Sequence, residues 1–141
     1  MKGFLNIEQF IAEKITGRIQ SLLSQDLASN HDRLVQSISN KRVLVIGGAG
    51  TIGSSYIKAM LPYKPGRLVV VDTNENGLTE LVRDCRSRND LELPKDFKSY
   101  PVNFGDPVFE KIFDHEGPFD IIANFAAHKH VRSEKDIYSI E

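Results

Sequence analysis

At 141 residues, with 40% hydrophobic and 26% charged side chains, the chain has the length and composition of one globular domain with a real core. A formal net charge of −1 gives no electrostatic case for nucleic acid or an anionic membrane surface, and no apolar run approaches the roughly 20 residues that span a bilayer. Cys85 is the only cysteine, which excludes an internal disulfide; the opening MKGFLNIEQF lacks the apolar core of a signal peptide, so the cytoplasm is the expected compartment.

Residues 1–40 read as a helical arm. Phe10, Ile11, Ile15, Ile19, Leu22, Leu23 and Leu27 recur at three- and four-residue steps, an apolar stripe on a polar segment. Asn6, with Gln9 three residues on, is the expected N-cap. Gly17 weakens this helix by up to about 1 kcal/mol relative to alanine. The pattern breaks at Ser29 and Asn30, and His31 to Ile38 reads as a second, shorter helix with Leu34, Val35 and Ile38 on one side. Such an arm packs either on the domain that follows or on a neighbouring subunit, and the second option makes a homo-oligomer.

The stretch KRVLVIGGAGTIG, Lys41 to Gly53, organises the rest. Val43 to Ile46 is the short apolar run of a fully buried parallel strand. Gly47, Gly50 and Gly53 follow in a GxxGxxG pattern, and then helical spacing begins at Thr51. A turn without side chains lets the backbone approach a pyrophosphate, and the first helical turn, with Thr51 and Ile52, offers unpaired N–H groups at the positive end of the helix dipole. Gly53 lets that helix close on the strand. The alternative is an ordinary glycine-rich turn.

The helix from Thr51 ends near Leu61, before Pro62 and the Pro65–Gly66 pair. Leu68 to Val71 is a second buried strand closed by Asp72, and Thr73 to Arg88 a helix with Leu78, Leu81, Val82 and Cys85 inward and Arg83, Arg86 and Arg88 on a solvated face. Asn89 to Lys95 reads as a polar connection, Phe97 to Val102 as a third strand, and Asp106–Pro107 as the start of a helix holding Phe109, Ile112 and Phe113. Gly117–Pro118 punctuates; Phe119 to Phe125 is a fourth strand, and a further helix begins near Ser133. Strands alternating with helices imply an α/β, Rossmann-type doubly wound parallel sheet in spatial order 3-2-1-4, occupying residues 41–141.

Asp72 stands about 20 residues beyond the glycine turn, where a carboxylate can accept hydrogen bonds from adenosine ribose hydroxyls. It would repel a 2′-phosphate, and neither Thr73 nor Asn74 supplies an arginine, so NAD is favoured over NADP. The other role open to Asp72 is capping the next helix.

GGAGTIG, VVVD, the NFGD of Asn103 to Asp106 and the NFAAHKHVRSEKD of Asn124 to Asp136 together resemble the amino-terminal half of extended short-chain dehydrogenase/reductases. The nucleotide-sugar epimerases and UDP-N-acetylglucosamine 4,6-dehydratase-like members of the polysaccharide-biosynthesis group are the nearest pattern, some with an arm like residues 1–40. The resemblance implies that Asp106 faces the adenine amino group with Phe104 at the base, that Phe125, Ala126 and Ala127 pass under the cofactor, and that Lys129 reaches its phosphate or ribose. It also implies oxidation of a nucleotide sugar at C4 by hydride transfer to NAD, with a Tyr-x-x-x-Lys pair as the base.

No such pair occurs. Tyr56, Tyr63 and Tyr100 are followed at the fourth position by Met60, Arg67 and Phe104, and Tyr138 runs into the carboxyl end. The family places the motif further on, so the chain reads as the cofactor-binding portion of a larger enzyme, inactive alone and without catalytic residues of its own. The fourth strand is then expected to expose an edge at Ile121, Ile122 and Phe125. His128 and His130 are too few ligands for a closed metal site, and Glu134 and Asp136 face different ways on a helix. Glu134 stands where the resembling dehydratases have an acidic residue after the HV segment, which makes it a substrate-site candidate. A stand-alone nucleotide-binding regulatory module is the alternative from another class, and a fragment that binds nothing is the third.

Overall fold

The computed structural model describes residues 10–17 and 22–127. The chain divides into two compact units, Met1–Leu34 and Val35–Glu141. In the first, a π-helical stretch, Ile11–Thr16, stops at Gly17, whose φ of +62° is left-handed. A left-handed residue ends a right-handed helix, so the continuous helix expected here does not run through Gly17. Helix α1, Ser24–Ser29, closes at Asn30, whose side-chain amide donates to the Asp26 carbonyl at 2.9 Å. Helix α2 spans His31–Ile38, as the spacing predicts. The expected cap pair, Asn6 and Gln9, lies outside the described residues.

The elements that follow are β1 (Arg42–Ile46), α3 (Thr51–Met60), β2 (Arg67–Asp72), α4 (Glu75–Ser87), β3 (Asp96–Pro101), α5 (Pro107–Glu116) and β4 (Ile121–Asn124). The four strands form one parallel sheet in the order β3-β2-β1-β4, as expected from the alternation of strands and helices. Val43 and Val45 on β1 and Leu68 and Val70 on β2 meet Ile57, Met60, Leu78, Leu81 and Cys85 from α3 and α4. Leu44, Ile46, Val69 and Val71 face the other way, against Phe109 of α5 together with Tyr100, Val102 and Phe119. The two central strands are apolar on both faces because both are covered.

Three boundaries depart from the sequence pattern. Leu61–Tyr63 winds on from α3 as a 3₁₀ turn, since Pro62 near the start of such a turn needs no N–H donor. The connection before β3 is not simply polar: Leu91 and Leu93 pack against the core. Val82 is only half-buried and Val35 is exposed.

A buried carboxylate ties the amino edge of the sheet. Glu116, at the end of α5, is fully buried. It pairs with Arg67, accepts from Lys98 Nζ at 2.9 and 3.1 Å, and accepts from the Tyr100 hydroxyl at 2.5 Å. Arg42 Nη2 donates to the carbonyls of Glu116 and Gly117 at 3.1 and 2.7 Å. Residues of β1, β2 and β3 thus converge on one helix end, which leaves the carboxyl ends of the strands to build the site. Among the described residues β4 pairs with β1 alone, and Ile122 is 53% exposed.

Candidate functional site

The turn after β1 is shaped by close backbone approach. Gly47 adopts φ +75°, and its amide donates to the Val71 carbonyl at 2.8 Å. A Cβ on Gly47 would lie 2.5 Å from the Ala126 amide nitrogen, so a side chain is excluded twice over, by conformation and by space. A Cβ on Gly53 would lie 2.1 Å from the Gly47 carbonyl oxygen, which shows how tightly α3 closes on the turn. Gly50 is different: its nearest neighbour would be the Gly47 oxygen at 3.5 Å, an ordinary contact. Nothing in the folded chain requires a glycine there.

Gly50 is also the N-cap of α3, with no side-chain cap. The next amides, Thr51 and Ile52, find no acceptor among the described residues, and both residues are exposed. Unpaired N–H groups at the positive end of a ten-residue helix are the kind of donors an anion accepts from.

Asp72 ends β2 facing this turn. One carboxylate oxygen accepts from the Ala49 amide at 2.9 Å, and the other from the Asn74 amide at 2.9 Å. Capping of α4 belongs to Asn74, whose side-chain oxygen accepts from Gly77 N–H at 2.9 Å; Asp72 is not the cap. Each Asp72 oxygen keeps a further lone pair for an outside donor.

Gly47, Gly50 and Asp72, but not Thr51, Ile52 or Gly53, line one cleft of about 490 Å³ at the carboxyl ends of the strands. Gly47, Ala49 and Gly50 form one side; Asp72, Thr73 and Asn74 the next; Val102, Asn103 and Phe104 the third; and Phe125, Ala126 and Ala127 the fourth. The Phe125 amide donates to the Ile46 carbonyl at 2.8 Å, and its ring packs on Tyr56 with centroids 5.0 Å apart. Asp106 is not part of the lining. It is exposed at the start of α5, its amide held by the Asn103 carbonyl at 3.0 Å. Thr51, Ile52 and Gly53 lie in the helical turn beyond Gly50. Lys129, His128, His130, Glu134 and Asp136 lie outside the described residues.

Two larger recesses, of about 610 and 560 Å³, flank α4. The second is lined by charges that already pair with each other, Lys58 with Asp84 and Arg83 with Glu80. Lys58 holds the Asp84 carboxyl below the usual carboxylate range by hydrogen bond and charge. Burial pushes the Tyr56 phenol and the Cys85 thiol up. The chemistry, unlike the volume, favours the glycine cleft.

Two further glycines shape the site without belonging to the GxxGxxG spacing. A Cβ on Gly48 would meet Val70 Cγ1 at 2.3 Å, and one on Gly77 would meet Ala49 Cβ at 2.9 Å. The Gly47–Gly48 doublet and the Asn74-x-x-Gly77 pattern were the available signals.

The family model described as polysaccharide biosynthesis protein matches residues 43–139. The chain is 22% identical over 130 residues to the probable polysaccharide biosynthesis protein EpsC of Bacillus subtilis, covering 88% of this chain and 21% of that protein. It is 40% identical over 58 residues to the uncharacterized membrane protein MJ1061 of Methanocaldococcus jannaschii, covering 38% of this chain and 17% of that protein. The chain therefore spans about a fifth of the length of these curated relatives. No helix among the described residues is long and apolar enough to cross a membrane. Among solved structures, Pen from Bacillus thuringiensis matches with a TM-score of 0.55 and 28% identity over 67% of this chain and 28% of that one. The MalC reductase/Diels-Alderase of Malbranchea aurantiaca shares the fold, with a TM-score of 0.56 and 20% identity over 70% of this chain and 41% of that one.

Proposed function

This chain belongs to the polysaccharide biosynthesis protein family, and from that premise we propose that its glycine cleft binds NAD. The chain is read as the cofactor-binding part of a nucleotide-sugar 4,6-dehydratase or epimerase that serves polysaccharide or cell-surface glycan synthesis. The observation that carries this reading is the division of labour among the three spaced glycines. Gly47 and Gly53 are demanded by the chain's own packing; Gly50 is not, and the space beside it lies next to the unpaired amides of Thr51 and Ile52. A missing side chain that the protein itself does not need leaves room for a ligand's pyrophosphate.

In this reading Gly50, Thr51 and Ile52 hold the phosphates, Asp72 accepts from the ribose diol, and Phe104 flanks the base. Phe125, Ala126 and Ala127 floor the path towards the nicotinamide. The Asp72 charge disfavours a 2′-phosphate, so NAD binds more tightly than NADP. NAD supplies the hydride acceptor when bound. No catalytic residue is assigned to this chain, in which no tyrosine is followed four positions later by lysine. The nucleotide-sugar substrate and a homo-oligomeric assembly belong to the same proposal.

Isothermal titration tests it. A saturable heat with NAD, and a weaker one with NADP, is the expected result; no heat at millimolar NAD overturns the reading.

A further inference from the structure

We infer that Asp72 is a positioning residue for the glycine turn, acting through the Ala49 amide, beyond any contact it makes with a ligand. Its ligand-binding consequence rests on the dinucleotide reading above; its consequence for the turn does not.

One hydrogen bond and two close approaches surround Ala49. Its amide donates to an Asp72 carboxylate oxygen at 2.9 Å, a charge-assisted bond of the stronger kind. The preceding residue, Gly48, lies so close to β2 that a Cβ would come within 2.3 Å of Val70 Cγ1. The Ala49 methyl faces Gly77 of α4, whose added Cβ would come within 2.9 Å of it. The second Asp72 oxygen accepts from the Asn74 amide at 2.9 Å, and Asn74 in turn caps α4 through Gly77. One carboxylate thereby joins the turn after β1 to the turn after β2.

The consequence is a sorting of amides. Ala49 N–H is spent inside the protein and is not offered to an anion. The donors left are those of Thr51 and Ile52, with Gly50, whose own bond to the Gly47 carbonyl is long at 3.4 Å. Asp72 sets the direction of these donors because the turn that precedes them is tied to it. In Asp72→Asn the side chain has one acceptor and one donor end, so whichever way it turns, one of the two amides faces an N–H group and loses its partner.

The test combines amide exchange in the free protein with binding of two nucleotides, ADP and 2′,3′-dideoxy-ADP, which lacks the diol. In the wild type, Ala49 N–H should exchange at least about tenfold more slowly than Thr51 and Ile52. Asp72→Ala, which removes both acceptors, should erase that protection while leaving Leu44 and Val70 protected. Gly77→Ala, which crowds both Ala49 and the Asn74 side chain, should weaken it too. Asp72→Asn should also weaken dideoxy-ADP binding by about tenfold or more, although no diol is present to be lost.

An Ala49 amide that exchanges as fast as Ile52, or that stays protected in Asp72→Ala, overturns the inference. Unchanged dideoxy-ADP affinity in Asp72→Asn overturns it as well, and leaves Asp72 with a diol role only. If the wild type binds neither nucleotide, the dinucleotide reading falls, and Ala49 exchange alone decides the role of Asp72 in the turn.

Discussion

Glu116 of α5 and Arg67 of β2 form an ion pair in which the carboxylate side chain is 1% exposed and the guanidinium 15%. Lys98 and Tyr100 complete the shell of the acid, while Arg67 Nη1 donates to the Glu116 carbonyl at 2.9 Å. Arg67 Nε lies 3.1 Å from Asp96 Oδ2, close enough for charge attraction yet without a hydrogen-bond partner. Glu116 is therefore the principal counter-charge that Arg67 has out of solvent.

Removing it should leave the half-buried Arg67 with the exposed Asp96 as its remaining counter-charge. Glu116→Ala is expected to cost about 3–5 kcal/mol, the range for breaking one side of a buried pair. Glu116→Gln, which keeps an acceptor for Tyr100 or Lys98, should cost less. Urea unfolding of the two variants beside the wild type measures the difference, and equal stability of wild type and Glu116→Ala would refute the assignment.

Two glycines should part company under the same substitution. Gly53→Ala places a methyl 2.1 Å from the Gly47 carbonyl oxygen, so it should cost about 3 kcal/mol or more and distort the turn. Gly50→Ala meets nothing closer than 3.5 Å and should cost no more than about 1 kcal/mol, mainly as a poorer helix cap. If phosphates sit beside Gly50, the stable variant still loses NAD affinity. Thermal unfolding and calorimetry on both proteins separate the two effects.

The open edge of β4 makes a prediction about association. Ile122 pairs in register with Leu44 and is 53% exposed, on a strand with a neighbour on one side only among the described residues. Exposed apolar edges recruit other chains. Ile122→Lys should leave stability within about 0.5 kcal/mol and reduce concentration-dependent self-association. Sedimentation velocity across a concentration series reads it; an unchanged distribution would rule this edge out.

Alkaline pH should weaken the fold. Burial raises the Tyr56 and Cys85 pKa values above their ordinary 10.0 and 9.0, so the folded state keeps protons that the unfolded chain has released. The stability contributed by each is complete below its unfolded pKa and is lost as pH rises through its folded one. Tyr56→Phe keeps a ring against Phe125 but removes one titration, so its stability should decline less steeply above about pH 10. Denaturant midpoints at stepped alkaline pH check the slope.

Much of this architecture was legible in advance because it rests on short-range pattern. Val43–Ile46 and Leu68–Val71 are unbroken apolar runs, and strands covered on both faces require such runs. Gly47, Gly50, Asp72 and Phe125–Ala127 converge on one cleft because parallel strands bring their carboxyl ends together. Periodicity could not see what depends on a single torsion or on distant partners. Gly17 breaks its helix by a left-handed φ, and Leu91 and Leu93 reach the core from a stretch with no repeat. Glu116 finds partners 16 to 49 positions away, which spacing along the chain does not encode. Asp106 matches the NFGD pattern but lies outside the cleft lining, at the start of a helix that faces solvent there.

Arg42 and Arg67, which hold Glu116, stand at the amino ends of β1 and β2, whereas the cleft is built at their carboxyl ends. Among the described residues Tyr100 alone joins the two, since its carbonyl accepts from Val102 of the cleft at 3.0 Å. Distant sites contribute independently to folding free energy, and only substitutions at Tyr100 should couple the two. A background hardened around Arg42 and Arg67, with Tyr100 kept, could therefore carry costly redesigns of the glycine turn without either change altering the effect of the other.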